Sequence, residues 1–119
     1  MRLQLCFGLP VVFSLTNSIL KAFVIEKVED LKGRDIIDID VAEKSSVTET
    51  MLICSGNSKR HVISIAENVV VEAKKAGTAP LGIEGRETGD WVLVDLGDVV
   101  LHVMQDEARD FYQLEKLWG

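Results

Sequence analysis

Two aspartates one residue apart, Asp38 and Asp40, are the sequence feature most suggestive of chemistry. In an extended chain, residues i and i+2 share a face. Both carboxylates would then point the same way, as metal-dependent phosphoryl or nucleotidyl transfer requires. The surrounding run DIIDIDV gives a plainer account. Ile37, Ile39 and Val41 take the inner face of a half-buried strand, and the two acids take the wet face. A second feature is Gly56-Asn57-Ser58 followed by Lys59 and Arg60. Placed before a helix, it would let the helix N-terminus hold an anion. Neither a P-loop nor a dinucleotide-binding glycine signature occurs, and a turn with a serine cap accounts for the run.

His61 and His102 are the two histidines. Neither is paired in a recognisable motif with a serine or cysteine nucleophile. His102 alternates with Leu101 and Val103, which suits a structural or interface histidine. The two cysteines, Cys6 and Cys54, form no CxxC pair, so zinc and thioredoxin-type readings fail for lack of ligands. Cys54 lies in an apolar run and reads as a buried small hydrophobe. Asp95 and Asp98 flank a turn and suit it chemically. No catalytic centre, metal site or cofactor site emerges. Trp91 is the better binding feature. It follows the turn GIEGRETGD and has Glu84, Glu87 and Asp90 close in sequence. Tryptophan dominates interface hot spots, and an aromatic among acids suits a basic protein partner. The competing reading places Trp91 at the edge of the core.

Charge points the same way. The 119 residues carry a net charge of -6, and 47% are apolar. All 19 acids and all but one of the 13 bases lie beyond residue 19. An anionic body is repelled by nucleic-acid phosphates and attracted to basic surfaces. Little direct nucleic-acid binding is expected.

The elements that must position these residues can be read from periodicity. Asn17 or Ser18 caps a first helix whose apolar face is Ile19, Leu20, Phe23, Val24, Val28 and Leu31, with Gly33 at its C′ position. A strand follows over 35–41, a polar connection over 42–47, and a short apolar strand over 50–54. A second helix runs from a Ser58 cap to about residue 76, burying Val62, Ile65, Ala66, Val69, Val70 and Ala73, and Gly77 closes it. Residues 80–83 form a short strand and 85–89 a turn. Strands over 91–95 and 99–104 flank Gly97-Asp98, which suits a type II′ hairpin. A last helix spans 106–118, with Phe111, Leu114, Leu117 and Trp118 on its apolar side. The order α-β-β-α-β-β-β-α predicts an α/β domain with a mixed β-sheet flanked by helices.

The runs DLKGRDIIDIDV, KSSVTETMLICSGNSKRHVISIAENVV and PLGIEGRETGDWVLVDLGDVVLHVMQDEARDFYQLEKLW resemble the ribosomal silencing factor (Iojap-like) family over about residues 20–119. The resemblance implies a nucleotidyltransferase-like fold without the active site. It implies a cytoplasmic, non-catalytic protein that binds ribosomal protein L-fourteen on the large subunit. Bound there, it would block joining of the small subunit and lower translation when nutrients are scarce. Homodimers and a role in large-subunit assembly are further expectations from the family. The partner-facing residues carried over are Glu84, Gly85, Trp91, Asp95, Asp98, His102 and Tyr112. The polar connection maps to Lys44, Ser45 and Ser46, and Glu49 stands where the family usually has Asp.

Residues 1–16 are read as an atypical extension ahead of a domain at 17–119. Residues 1–15 carry one Arg before an apolar run broken by Gln4, Gly8 and Pro10. Three readings compete: a cleaved signal, a membrane-surface anchor, and an upstream extension that is not native protein. The last is favoured, because relatives begin near Leu15, and a start at a non-AUG leucine codon would explain it.

Overall fold

The computed structural model describes residues 17–43, 48–114 and 116. The expectations for residues 1–16, Lys44, Ser45, Ser46, Leu117 and Trp118 lie outside the described residues, as do the side chains of Asn17 and Ser18. The elements are α1 (Asn17–Asp30), β1 (Arg34–Asp40), β2 (Thr50–Gly56), α2 (Lys59–Lys75), β3 (Gly82–Glu84), β4 (Trp91–Asp95), β5 (Val99–Gln105) and α3 (Asp106–Tyr112).

The five strands form one mixed sheet in the order β1-β2-β5-β4-β3. The central pair, β2 and β5, is parallel, and the remaining pairs are antiparallel. Both central strands are almost wholly buried, as a sheet covered on both sides demands. Parallel pairing with β5 carries β2 on to Ser55 and Gly56, two residues past the apolar run.

Helices α1 and α2 cover one side. Leu20, Val24 and Val28 of α1 and Val62, Ile65, Ala66, Val69 and Ala73 of α2 pack on Leu52, Cys54, Val92, Val94, Leu101 and Val103. Burying such an aliphatic side chain contributes about 2 kcal/mol, so this packing holds the helical layer on the sheet. Ile19 departs from expectation and is exposed. It lies about 100° around the helix from Leu20 and falls off the stripe that Leu20, Val24 and Val28 define.

Ser58 Oγ accepts from the backbone N–H of His61 and caps α2 as expected. Gly77 follows α2 with φ 84°. At the end of α1 the left-handed residue is Lys32 (φ 62°), one position before the glycine. Lys32 N–H donates to Glu29 and Gly33 N–H to Val28, which is the Schellman pattern with Lys32 at C′. Gly33 is needed for a different reason: a Cβ there would overlap Val28 Cγ1. The third helix also differs. Gln113 adopts φ 50° and interrupts it after Tyr112.

Candidate functional site

Residues directly opposite on paired strands point to the same side of a sheet. The registers Glu84↔Leu93, Leu93↔His102, Ile53↔His102 and Ile37↔Ile53 therefore define one row across all five strands. The row beside it contains Asp95, Val100, Met51 and Ile39. On the other flank lie Trp91, Met104 and Ser55. Glu84, Trp91, Asp95 and His102 thus share the face turned away from α1 and α2. Sequence reading named these four without a register to unite them.

Helix α3 closes one end of this face. Leu114 is buried with Ile39, Val41, Met51, Ile53 and Met104, and Trp91 and Ala108 pack against that cluster. Two arginines fasten the helix. The buried Arg109 guanidinium donates from Nη1 to Ser55 Oγ at 2.8 Å. Arg34 Nη2 meets the Asp106 carboxylate at 3.0 and 3.3 Å, while Arg34 Nε donates to Asn57 Oδ1 at 2.8 Å.

A chain of rings runs out from the face. The Trp91 indole N–H donates to His102 Nδ1 at 2.9 Å. The Trp91 ring lies 4.7 Å from that of Tyr112, and Tyr112 meets Phe111 edge-on at 5.0 Å. Trp91 is half-buried, whereas Tyr112 is exposed and Phe111 is 80% exposed. Phe111 was expected on the apolar side of the last helix. The break at Gln113 ends that helix early, and Phe111 faces solvent. Beside the rings opens a cleft of about 560 Å3 between Lys59, Asp90, Gln105, Glu107, Phe111 and Tyr112. Asp90 and Glu107 are exposed. An apolar ring surface edged by carboxylates is suited to a basic protein surface.

His102 does not reach that surface. It is buried between Leu93 and Ile53. Accepting the indole proton at Nδ1 requires a bare nitrogen there, hence a neutral ring protonated at Nε2. Burial pushes its pKa down to about 4, in keeping with neutrality. Its Nε2 is buried and has no hydrogen-bond partner among the described residues.

The other expected residues take varied positions. Glu84 is exposed, on the short edge strand β3. Gly85 has φ 88° and lies so close to the Trp91 carbonyl that a Cβ would overlap that oxygen. Asp95 Oδ1 accepts from Gly97 N–H at 2.9 Å and shapes the hairpin, where Gly97 has φ 88°. Asp98 is exposed at the tip, and its carbonyl accepts from the backbone N–H of Glu49 and of Thr50 and from Thr48 Oγ1, each at 2.9 Å. Arg109, Phe111 and Gln105 were missed. The clue for Phe111 was the acidic run Asp106, Glu107 and Asp110 around it.

The two features suggestive of enzyme chemistry have structural occupations. Asp38 pairs with Lys21 at 3.4 Å, and Asp40 Oδ1 accepts from Ala42 N–H. Asn57 N–H donates to His61 Nδ1, and Asn57 Oδ1 is held by Arg34. Among the described residues, no group of three or more His, Cys, Asp or Glu is placed to hold a metal ion. Cys54 is fully buried, and burial pushes its thiol pKa up to about 12. No described helix is long and apolar enough to cross a membrane.

The family model described as "Ribosomal silencing factor during starvation" matches residues 16–119. The chain belongs to the ribosomal silencing factor family. It is 50% identical over 100 residues to the ribosomal silencing factor RsfS of Haemophilus influenzae, covering 84% of this chain and 98% of that one. A crystal structure of a Chromobacterium violaceum protein superposes with a TM-score of 0.86 at 44% identity, covering 88% of each chain. A mouse protein named "Mitochondrial assembly of ribosomal large subunit protein 1" is 40% identical over 89 residues, which cover 72% of this chain and 39% of that protein. In this silencing-factor domain, the ring chain and its carboxylates occupy the sheet face opposite the two long helices.

Proposed function

We propose that this chain is a non-catalytic, cytoplasmic ribosomal silencing factor. It docks on the large ribosomal subunit through ribosomal protein L-fourteen, obstructs joining of the small subunit and lowers translation under nutrient limitation. The observation that carries the reading is the chain of rings from Trp91 to Phe111, projecting from one sheet face beside the exposed carboxylates of Asp90 and Glu107. Such a surface offers an aromatic anchor and charge complementarity to a basic protein. Family membership and the names of the relatives support the ribosome as the target. Obstruction needs only a folded domain in the way, and an interface of about 800 Å2 per partner would be ordinary.

A second reading, assistance in large-subunit assembly, draws on the name of the mouse relative. It uses the same face and partner. The nucleotidyltransferase reading would rest on Asp38, which pairs with Lys21, and on Asp40, whose Oδ1 accepts from Ala42 N–H.

The test is co-sedimentation with purified large subunits, followed by a subunit-joining assay. Binding together with reduced joining supports silencing. Binding with normal joining favours assembly. Failure to sediment with large subunits at moderate salt, or turnover of a nucleoside triphosphate with magnesium, overturns the proposal.

A further inference from the structure

We infer that His102 is a positioning residue for Trp91: it holds the indole in the orientation a partner meets and makes no partner contact itself. The inference rests on the reading of Trp91 as the partner anchor.

His102 sits on the central strand β5, 5% exposed, with Leu93 and Ile53 opposite it on either side. Its Nδ1 accepts the Trp91 indole proton at 2.9 Å, and the rings are tilted by 43°. Trp91 can turn about two side-chain bonds. On one side Tyr112 packs at 4.7 Å, but Tyr112 belongs to the last turn of a seven-residue helix and is itself exposed. The directional restraint that comes from the body of the sheet is the hydrogen bond to His102.

The opposite end of the imidazole makes the case stronger. Nε2 is buried, with no hydrogen-bond partner among the described residues. In the tautomer that accepts at Nδ1, this atom carries a proton. A buried donor without an acceptor is destabilising. A leucine between Leu93 and Ile53 would avoid that cost. An imidazole offers one thing leucine cannot, the acceptor that faces the indole. Orientation of Trp91 is therefore what the buried histidine provides, and it acts on binding by limiting the freedom the indole loses on docking.

Four proteins test this: the wild type, Trp91→Ala, His102→Leu and His102→Asn. The asparagine amide oxygen takes nearly the place of Nδ1 and can accept the indole proton. Each is measured for co-sedimentation with purified large subunits and for hydrogen exchange of the Trp91 indole N–H by NMR. The expected result for His102→Leu is about tenfold weaker binding, the worth of one hydrogen bond, with a rapidly exchanging indole proton. His102→Asn should recover most of the affinity and the slow exchange. Wild-type affinity in His102→Leu, alongside weakened Trp91→Ala, overturns the inference and leaves the anchor reading intact. Wild-type affinity in Trp91→Ala overturns both. A nitrogen-15 spectrum of the wild type needs no variant to fold: a proton on Nδ1 of His102 at neutral pH also overturns the inference.

Discussion

His61 Nε2 reaches the carbonyl of Leu31 at 2.6 Å, across thirty positions of sequence. Its other nitrogen accepts the backbone N–H of Asn57 at 2.8 Å. One imidazole therefore ties the end of α1 to the turn before α2, and Nε2 must be the protonated nitrogen. Replacing it with phenylalanine removes both hydrogen bonds and takes the donor from the part-buried Leu31 carbonyl. His61→Phe is expected to lower unfolding stability by about 2 kcal/mol, read from urea denaturation at pH 7, with co-sedimentation with large subunits unchanged.

His102 makes stability sensitive to acid. Folding lowers its pKa from 6.5 to about 4. Between those values the unfolded chain binds the extra proton, so acid favours unfolding there. The contribution of this neutral histidine is complete above pH 6.5 and falls away as pH drops toward 4. The size of the shift corresponds to a loss on the order of 3 kcal/mol. Urea midpoints between pH 7 and pH 4 should decline in the wild type, and the decline should be shallower in His102→Leu. Equal slopes in the two proteins would contradict the burial of a neutral ring.

Truncating the ring chain should weaken docking without unfolding the domain. Trp91→Ala is expected to cost about 2 kcal/mol of binding, roughly thirtyfold. Phe111 is 80% exposed, so Phe111→Ala should leave the melting temperature unchanged while lowering affinity. A folded Trp91→Ala that co-sediments like the wild type would remove the anchor.

Gly85 tests the turn behind the anchor. Its φ is 88°, and an added Cβ would overlap the Trp91 carbonyl oxygen. Gly85→Ala combines a left-handed alanine with a backbone collision, and a loss of at least about 2 kcal/mol is expected. Gly82 has open space where a Cβ would go, so Gly82→Ala is the mild comparison. Thermal melts of the two variants give the contrast.

Much of the fold was legible because it is local. Ser58 before an apolar stripe and Gly77 after it bracket α2, and Gly97-Asp98 forces a tight hairpin. Lys32 and Gln113 were not legible, because a lysine or glutamine in a left-handed conformation carries no compositional mark. The second of these interrupts α3 after Tyr112, so that Leu114 is buried while Phe111, three residues earlier, stays exposed. The parallel pairing of β2 with β5 joins segments about fifty residues apart, and local patterning does not fix such a register. For the site, Trp91, Leu93 and Asp95 share a face by simple alternation. Glu84 and His102 join them only once β3 and β5 are in register with β4. The role of His102 was hidden for the same reason: its acceptor faces a residue eleven positions earlier, on the neighbouring strand.

The tip of the β4–β5 hairpin has a consequence of its own. The Asp98 carbonyl gathers the hydrogen bonds of Glu49, Thr50 and Thr48. The chain leading into β2 is thereby leashed to a bend half the sequence away. The hairpin tip and the first residues of the central strand are thus one unit, at the end of the sheet opposite the rings.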